Sequence, residues 1–105
     1  MGVDKYNRIF FVSGSCVEND MDYNGNDIIY FKDAEITRTW ALCLEKCNVE
    51  SKCTHWTWFK QNYPEVPLRG KCLLKTGQGD RTKVDWGISG AKGCSISGIT
   101  YCLTT

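Results

Sequence analysis

Apolar residues fall in short bursts along this chain, and the bursts follow two different periods. Residues 9–12 (IFFV) and 28–31 (IIYF) are the longest apolar runs, and each predicts a strand. Residues 22–31, DYNGNDIIYF, read as a turn leading into the second of these. Asn24 and Gly25 supply the turn because both tolerate positive φ, and the bulky residues after it favour a strand. Over residues 39–48 the period lengthens. Trp40, Cys43, Leu44 and Cys47 stand at i, i+3, i+4 and i+7, which is one buried helix face. Thr39 is placed to cap the N-terminus, and Lys46 lies near the end that favours a cation. Trp40, on the cysteine face, is expected in the core.

Residues 54–60 (THWTWFK) return to alternation, with Trp56 and Trp58 on one face and His55, Thr57 and Phe59 on the other. At least one of the two tryptophans should be core. Residues 71–76 (KCLLKT) and 84–92 (VDWGISGAK) predict two further strands, the second carrying glycines where the backbone bends. Between them, residues 61–70 form a loop with Pro64, Pro67 and Gly70, and residues 77–80 (GQGD) form a turn. Residues 1–15 read as a lead-in strand or tail. One helix among several short antiparallel strands is an α+β arrangement.

At 105 residues the chain is long enough for one domain. No apolar run approaches the roughly 20 residues needed to span a bilayer, so membrane insertion is not expected. The opening MGVDKYN lacks the basic and apolar regions of a signal peptide, so in a secreted protein Met1 would mark an internal starting point. Net charge is +1 but unevenly spread. Residues 1–50 hold five Lys or Arg against nine Asp or Glu, a balance of −4; residues 51–105 hold eight against three, a balance of +5. A compact fold can mix the halves into an ordinary solvated surface; left unmixed, they make a basic face for sulfated sugars or an acidic partner. Near-zero net charge in an oxidised domain does not favour nucleic acid.

Seven cysteines decide the class. Cytosolic proteins rarely carry so many, and the odd count leaves one free or paired elsewhere. Zinc is disfavoured: the spacing C-x3-C-x5-C from Cys43 to Cys53 is not that of paired ligands, and His55 is the single histidine. A catalytic thiol would need an activating histidine, and no C-x-x-C is present. No carboxylate pair with acid/base spacing stands out. No enzymatic activity, cofactor or metal is therefore expected. What remains is staples. Cys43 and Cys47, one helical turn apart, point roughly parallel and bridge each other poorly, but the residues alone leave the pairing among six cysteines open.

The order of motifs is more specific than any one of them. Gly25-Asn26-Asp27-Ile28 is followed by the C-x3-C helix, the aromatic strand Trp56-Thr57-Trp58-Phe59, then Cys72-Leu73-Leu74-Lys75, and Ile88-Ser89-Gly90 before Cys94. Over about residues 16–94 this resembles the PAN/apple family, the modules of plasma kallikrein, factor XI and the microneme adhesins of apicomplexan parasites. The resemblance implies a disulfide-stabilised antiparallel sheet of about five strands around one helix. It implies pairing of Cys43 with Cys72, Cys47 with Cys53, and Cys16 with Cys94. Cys102 departs from the pattern. It also could close onto Cys16; with Cys94 in that role it opens a following module or is an external thiol. The layout is then a lead-in at 1–15, the domain at 16–94 and a tail, or the start of another module, at 95–105.

What the resemblance implies about function is a non-catalytic adhesion module of a secreted protein, held in a secretory organelle such as the microneme if apicomplexan. Its partner would be a host cell-surface carbohydrate or protein receptor, bound during parasite attachment. The alternatives are a protein–protein or spacer module in a tandem apple array, meeting a sister adhesin or neighbouring apple module, and heparin-like polyanion binding by the basic C-terminal half. A sugar site stacks C–H faces on an aromatic ring and hydrogen-bonds the hydroxyls. Tyr63 and Trp86 are the aromatics expected at the surface, Trp86 beside the 77–80 turn. Lys60, Arg69, Lys71 and His55 are the candidate donors.

Overall fold

The computed structural model describes residues 16–29 and 33–93. Within them lie strand β1 (Val17–Asn24), helix α1 (Trp40–Val49), strand β2 (His55–Phe59), a 3-10 turn (Val66–Leu68), strand β3 (Cys72–Lys75) and strand β4 (Asp80–Ala91). The strands form one antiparallel sheet in the order β1-β4-β2-β3. The four strands among the described residues, one helix and two disulfides give the disulfide-stabilised α+β fold expected; the expected strand at residues 9–12 lies outside the described residues.

Helix α1 forms as its local sequence dictates. The Thr39 hydroxyl accepts from the Leu42 N–H at 3.2 Å, satisfying one of the donors a helix start leaves unpaired. Cys43, Leu44 and Cys47 are buried against Trp56, Trp58, Cys53 and Cys72. Trp40 is half-buried and stacks parallel to Trp56, ring centres 6.1 Å apart. Cys43 bonds to Cys72, tying the helix to β3, and Cys47 bonds to Cys53, closing the turn after the helix. Both pairs are those the resemblance implied. Cys16 is disulfide-bonded too; Cys94 and Cys102 lie outside the described residues.

β2 is the centre of the molecule. Trp56 and Trp58 are both buried on the helix side; Thr57 and Phe59 are buried on the far side. The Trp56 indole lies so close to β4 that a Cβ at Gly90 would sit 2.7 Å from its Cζ2, so only glycine fits there.

Two expectations need correction. The strand at residues 28–31 does not form as one: Ile28 and Ile29 lie outside any strand, and Tyr30 and Phe31 lie outside the described residues. The chain instead touches the outer edge of β3 twice, through bridges Asp27↔Lys75 and Ile36↔Lys71. Hydrogen bonds from Ile28 N–H to Leu74 O (2.9 Å) and from Cys72 N–H to Glu35 O (2.8 Å) cover that edge, which would otherwise invite pairing with another chain. The turn itself comes one residue later than expected, with positive φ at Gly25 and Asn26.

β1, with the sequence VENDMDYN, is a strand that no hydrophobic period announced. Its register against β4 runs from Val17↔Gly90 to Asn19↔Ile88, then jumps to Met21↔Lys83. Residues 84–87 of β4 thus face the single residue Asp20, whose φ is 60°. This double irregularity turns residues 21–24 across the far side of the sheet. The Tyr23 N–H donates to Thr57 Oγ1 at 3.2 Å, Thr57 Oγ1 and Ser89 Oγ are 2.7 Å apart, and Ser89 Oγ donates to Met21 O at 2.8 Å. Since Ser89 gives its proton to Met21, Thr57 gives its own to Ser89. Both hydroxyls are fully buried, so this chain of donors satisfies groups that would be costly unpaired.

The same fold mixes the charged halves. Lys60 pairs with Asp20, Lys75 with Asp27, and Arg81 with Glu18. Three cations of the basic half are therefore neutralised by carboxylates of the acidic half.

Candidate functional site

The far end of β2 carries an aromatic cluster. Phe59 is buried, and Tyr63 and Trp86 pack on it half-exposed. Ring centres are 4.7 Å apart for Phe59 and Tyr63, 4.8 Å for Phe59 and Trp86, and 4.8 Å for Tyr63 and Trp86, with Tyr63 and Trp86 edge to face at 79°. Rings this close are in direct contact. Nothing fits between them, so the cluster is a platform that a ligand can meet only from outside.

The backbone holds this platform still. Trp86 belongs to the irregular stretch of β4 opposite Asp20, inside the strand expected at 84–92. Its carbonyl accepts from the Lys60 N–H at 2.8 Å. Tyr63 N–H donates to Lys60 O at 3.2 Å, and Gly70 N–H donates to Phe59 O at 2.7 Å, so the loop is pinned at both ends. Asn62 braces it to Asp85 O at 2.9 Å, and Arg69 Nε donates to Tyr63 O at 2.7 Å. Bulges re-aim side chains and are frequent beside functional sites; here one presents Trp86 and the other turns Asp20 toward Lys60, whose Nζ lies 2.6 Å from the carboxylate.

Four of the six candidate residues thus come together: Lys60, Tyr63, Arg69 and Trp86. His55 stands at the opposite end of β2, its Nδ1 2.9 Å from Thr54 Oγ1 and its ring 5.8 Å from that of Tyr23. Burial holds its pKa below the ordinary value. Lys71 Nζ donates to Ala34 O at 2.7 Å, fastening the segment on the β3 edge. The Tyr63 phenol is pushed above its usual range by burial and by the negative charges of Glu65 and Asp22. Asp22 is itself raised, chiefly by burial, with Asp27 adding to the shift and Lys75 opposing it.

Asp20, which holds Lys60, and Phe59, which carries the two rings, are residues of this region that sequence reasoning missed. Phe59 looked like one more strand residue. Asp20 sits in a polar stretch with no apolar period to mark it. Among the described residues no group of three or more His, Cys, Asp or Glu could hold a metal ion.

The chain matches the PAN domain family over residues 21–75, which is 55 of its 105 residues. It belongs to the PAN domain family. The matched span contains the 25–28 turn, the cysteine helix, β2 and the Cys72-Leu73-Leu74-Lys75 strand, and lies inside the expected domain at 16–94. No curated protein matches the chain. PAN domains mediate protein or carbohydrate interactions and are generally non-catalytic. Disulfides and PAN membership together point to an extracellular or secreted protein, and among the described residues no helix is long and apolar enough to cross a membrane.

Proposed function

We propose that this PAN domain is an adhesion module that binds host cell-surface carbohydrate on the Tyr63–Trp86 platform, in the service of parasite attachment, as the resemblance to microneme adhesins implies. The observation that carries this reading is the coincidence of three features at one place. Two half-exposed rings are locked on a buried third, the irregular stretch of β4 carries Trp86, and Lys60, whose backbone bonds both Trp86 and Tyr63, holds its ammonium on Asp20. Sugars need this combination: an apolar face to stack on and a few fixed polar groups to read hydroxyls. The polyanion alternative is less well supported, because Lys60, Lys75 and Arg81 already have carboxylate partners. A protein partner draws support from exposed apolar side chains, Ile36 and Val66 each at 63%.

The test is a glycan array probed with the oxidised, folded domain presented multivalently, because single-site sugar affinities are weak and avidity raises the signal. Binding to a defined sugar, lost in Trp86→Ala and Tyr63→Ala, is the expected result. A blank array with folding verified rejects the carbohydrate reading at the affinities an array detects and favours a protein partner or a spacer. Binding to sulfated chains alone, abolished by salt, returns the weight to the basic residues.

A further inference from the structure

The segment that covers β3 leaves an edge of its own. Glu35 O accepts from the Cys72 N–H and the Thr37 N–H donates to Gly70 O, each at 2.8 Å, with Ile36 opposite Lys71 between them. Alternate residues of an antiparallel pair direct their backbone groups to opposite sides. The Ile36 N–H and C=O therefore point away from β3, and among the described residues neither has a partner. The backbone on both sides of Ile36 is fixed: Trp58 Nε1 donates to Thr37 O at 3.1 Å, and Lys71 Nζ to Ala34 O at 2.7 Å. The Ile36 side chain lies against Gly70, where a Cβ would stand 3.0 Å from its Cγ2, yet it is 63% exposed. Natural sheets guard their edges with charges and bulges. β1, at the other end of the sheet, is guarded in this way, with Glu18, Asp20, Asp22 and a break in register at Asp20. Residues 35–37 present an exposed β-branched side chain instead.

We propose that residues 35–37 are a self-association edge, on which a second copy of this chain pairs antiparallel about Ile36. The inference does not rest on the carbohydrate reading; it names the partner of the protein reading. Related by a twofold axis, the two copies exchange one N–H to C=O bond in each direction between their Ile36 residues. The two isoleucines then stand side by side, a β-branched cross-strand pair. Charge selects this arrangement. Arg38 belongs to none of the ion pairs among the described residues. Antiparallel pairing about Ile36 sets it opposite residue 34 of the other copy, between Asp33 and Glu35. Parallel pairing would set each charge beside its own kind, which is unfavourable. A net charge of +1 opposes association little. A pair of domains carries two Tyr63–Trp86 platforms, and so gains avidity for any multivalent surface they bind.

The experiment is sedimentation velocity of the oxidised chain over a range of concentrations, with amide exchange at Ile36 followed by NMR, for wild type, Ile36→Lys and Arg38→Glu. Wild type is expected to show a reversible monomer–dimer equilibrium, weakened by added salt, with exchange at the Ile36 N–H slowing as dimer forms. Ile36→Lys sets two like charges together on the twofold axis, and Arg38→Glu sets an acid between two acids. Each is expected to weaken the dimer by about tenfold or more. Both side chains are exposed, so the melting temperature of the dilute variants is expected to match that of wild type; should Ile36→Lys fold poorly, Arg38→Glu carries the test alone. Wild type that stays monomeric at about 1 mM, a concentration at which weak pairing is visible, overturns the proposal. So does a dimer that folded Ile36→Lys and Arg38→Glu leave undiminished, or one in which the Ile36 N–H exchanges as fast as in the monomer. A monomer leaves the carbohydrate reading standing, and a blank glycan array leaves this edge standing, so the two fail separately.

Discussion

The Lys75 ammonium, 1% exposed, lies 2.5 Å from the carboxylate of Asp27, forty-eight residues earlier in the chain. It also donates to Gly25 O at 3.2 Å. Two motifs that look unrelated in sequence, Gly25-Asn26-Asp27-Ile28 and Cys72-Leu73-Leu74-Lys75, are therefore halves of one structural device. The lysine aliphatic chain fills space at the end of β3, and the turn supplies the oxygens that a buried cation requires.

The two partners are not equivalent. Asp27 keeps 30% of its side-chain surface, so it can be hydrated if the lysine is lost. Lys75 has no such recourse. Asp27→Ala is expected to cost on the order of 3–5 kcal/mol, the range for leaving a buried charge unpaired, and Lys75→Met clearly less. Urea denaturation of the two variants checks the order; equal losses would mean the pair acts only by packing.

The donor chain from Tyr23 through Thr57 and Ser89 to Met21 makes Thr57 a second sensitive point. Thr57→Val keeps the shape and removes the hydroxyl. It leaves the Tyr23 N–H and the Ser89 hydroxyl short of a partner in a site where both hydroxyls are 0% exposed. A loss of about 1–3 kcal/mol is expected. Amide exchange at Tyr23 should rise more than exchange in α1, because the contact that holds β1 over the sheet is the one removed.

The disulfides should differ in what they contribute. Cys43–Cys72 spans a separation of 29 residues and Cys47–Cys53 one of 6. In the chain-entropy account these loops are worth roughly 3.7 and 2.3 kcal/mol. Paired Cys→Ala substitutions, compared by thermal and denaturant unfolding, should show the larger loss for Cys43 with Cys72. The reverse order would show that the short loop is stabilised by contacts other than loop closure.

Two titrations give the stability opposite slopes with pH. Burial lowers the pKa of His55 from its ordinary 6.5, so the native state disfavours the charged ring. That contribution is present above the unfolded value and is lost as pH falls through the lower folded one. Asp22 has a raised pKa. Its native state holds the proton more tightly, so stability falls as pH rises from the unfolded carboxylate value through the folded one. His55→Gln should flatten the decline in melting temperature below about pH 6.5. Asp22→Asn should gain over wild type as pH rises through the carboxylate range and hold that gain at neutrality. Melting curves from pH 3 to pH 8 report both.

Helix α1 was legible because everything that makes it is local: a capping hydroxyl three residues from the N–H it accepts, and apolar residues spaced for one face. β2 and β3 were legible for the same kind of reason, since dense alternating bulk has few other uses. The motif order was enough to anticipate the family and the two described pairings. β1 was not legible. Its polar side chains find partners 40 and 63 residues away, Lys60 for Asp20 and Arg81 for Glu18, and a strand held by distant ion pairs and ladder bonds leaves no hydrophobic period. The contacts of Asp27 and Ile36 along β3 were hidden likewise, as isolated bridges rather than a ladder.

The candidate site divides in the same way. The sequence marked Tyr63, Trp86, Lys60 and Arg69 as residues of the right chemistry. It could not tell that His55 and Lys71 are committed elsewhere, or that Asp20 arrives from forty residues away to hold Lys60. By itself the sequence determined the helix, strands β2 and β3, the oxidised class and the family, because these depend on neighbours within a few residues and on the order of motifs. The tertiary structure decided the mixing of the charged halves, the burial of Lys75 and the surroundings of the aromatic platform. Those depend on which distant strands pair and in what register, and a register jump such as the one at Asp20 moves whole side chains from one surface to another.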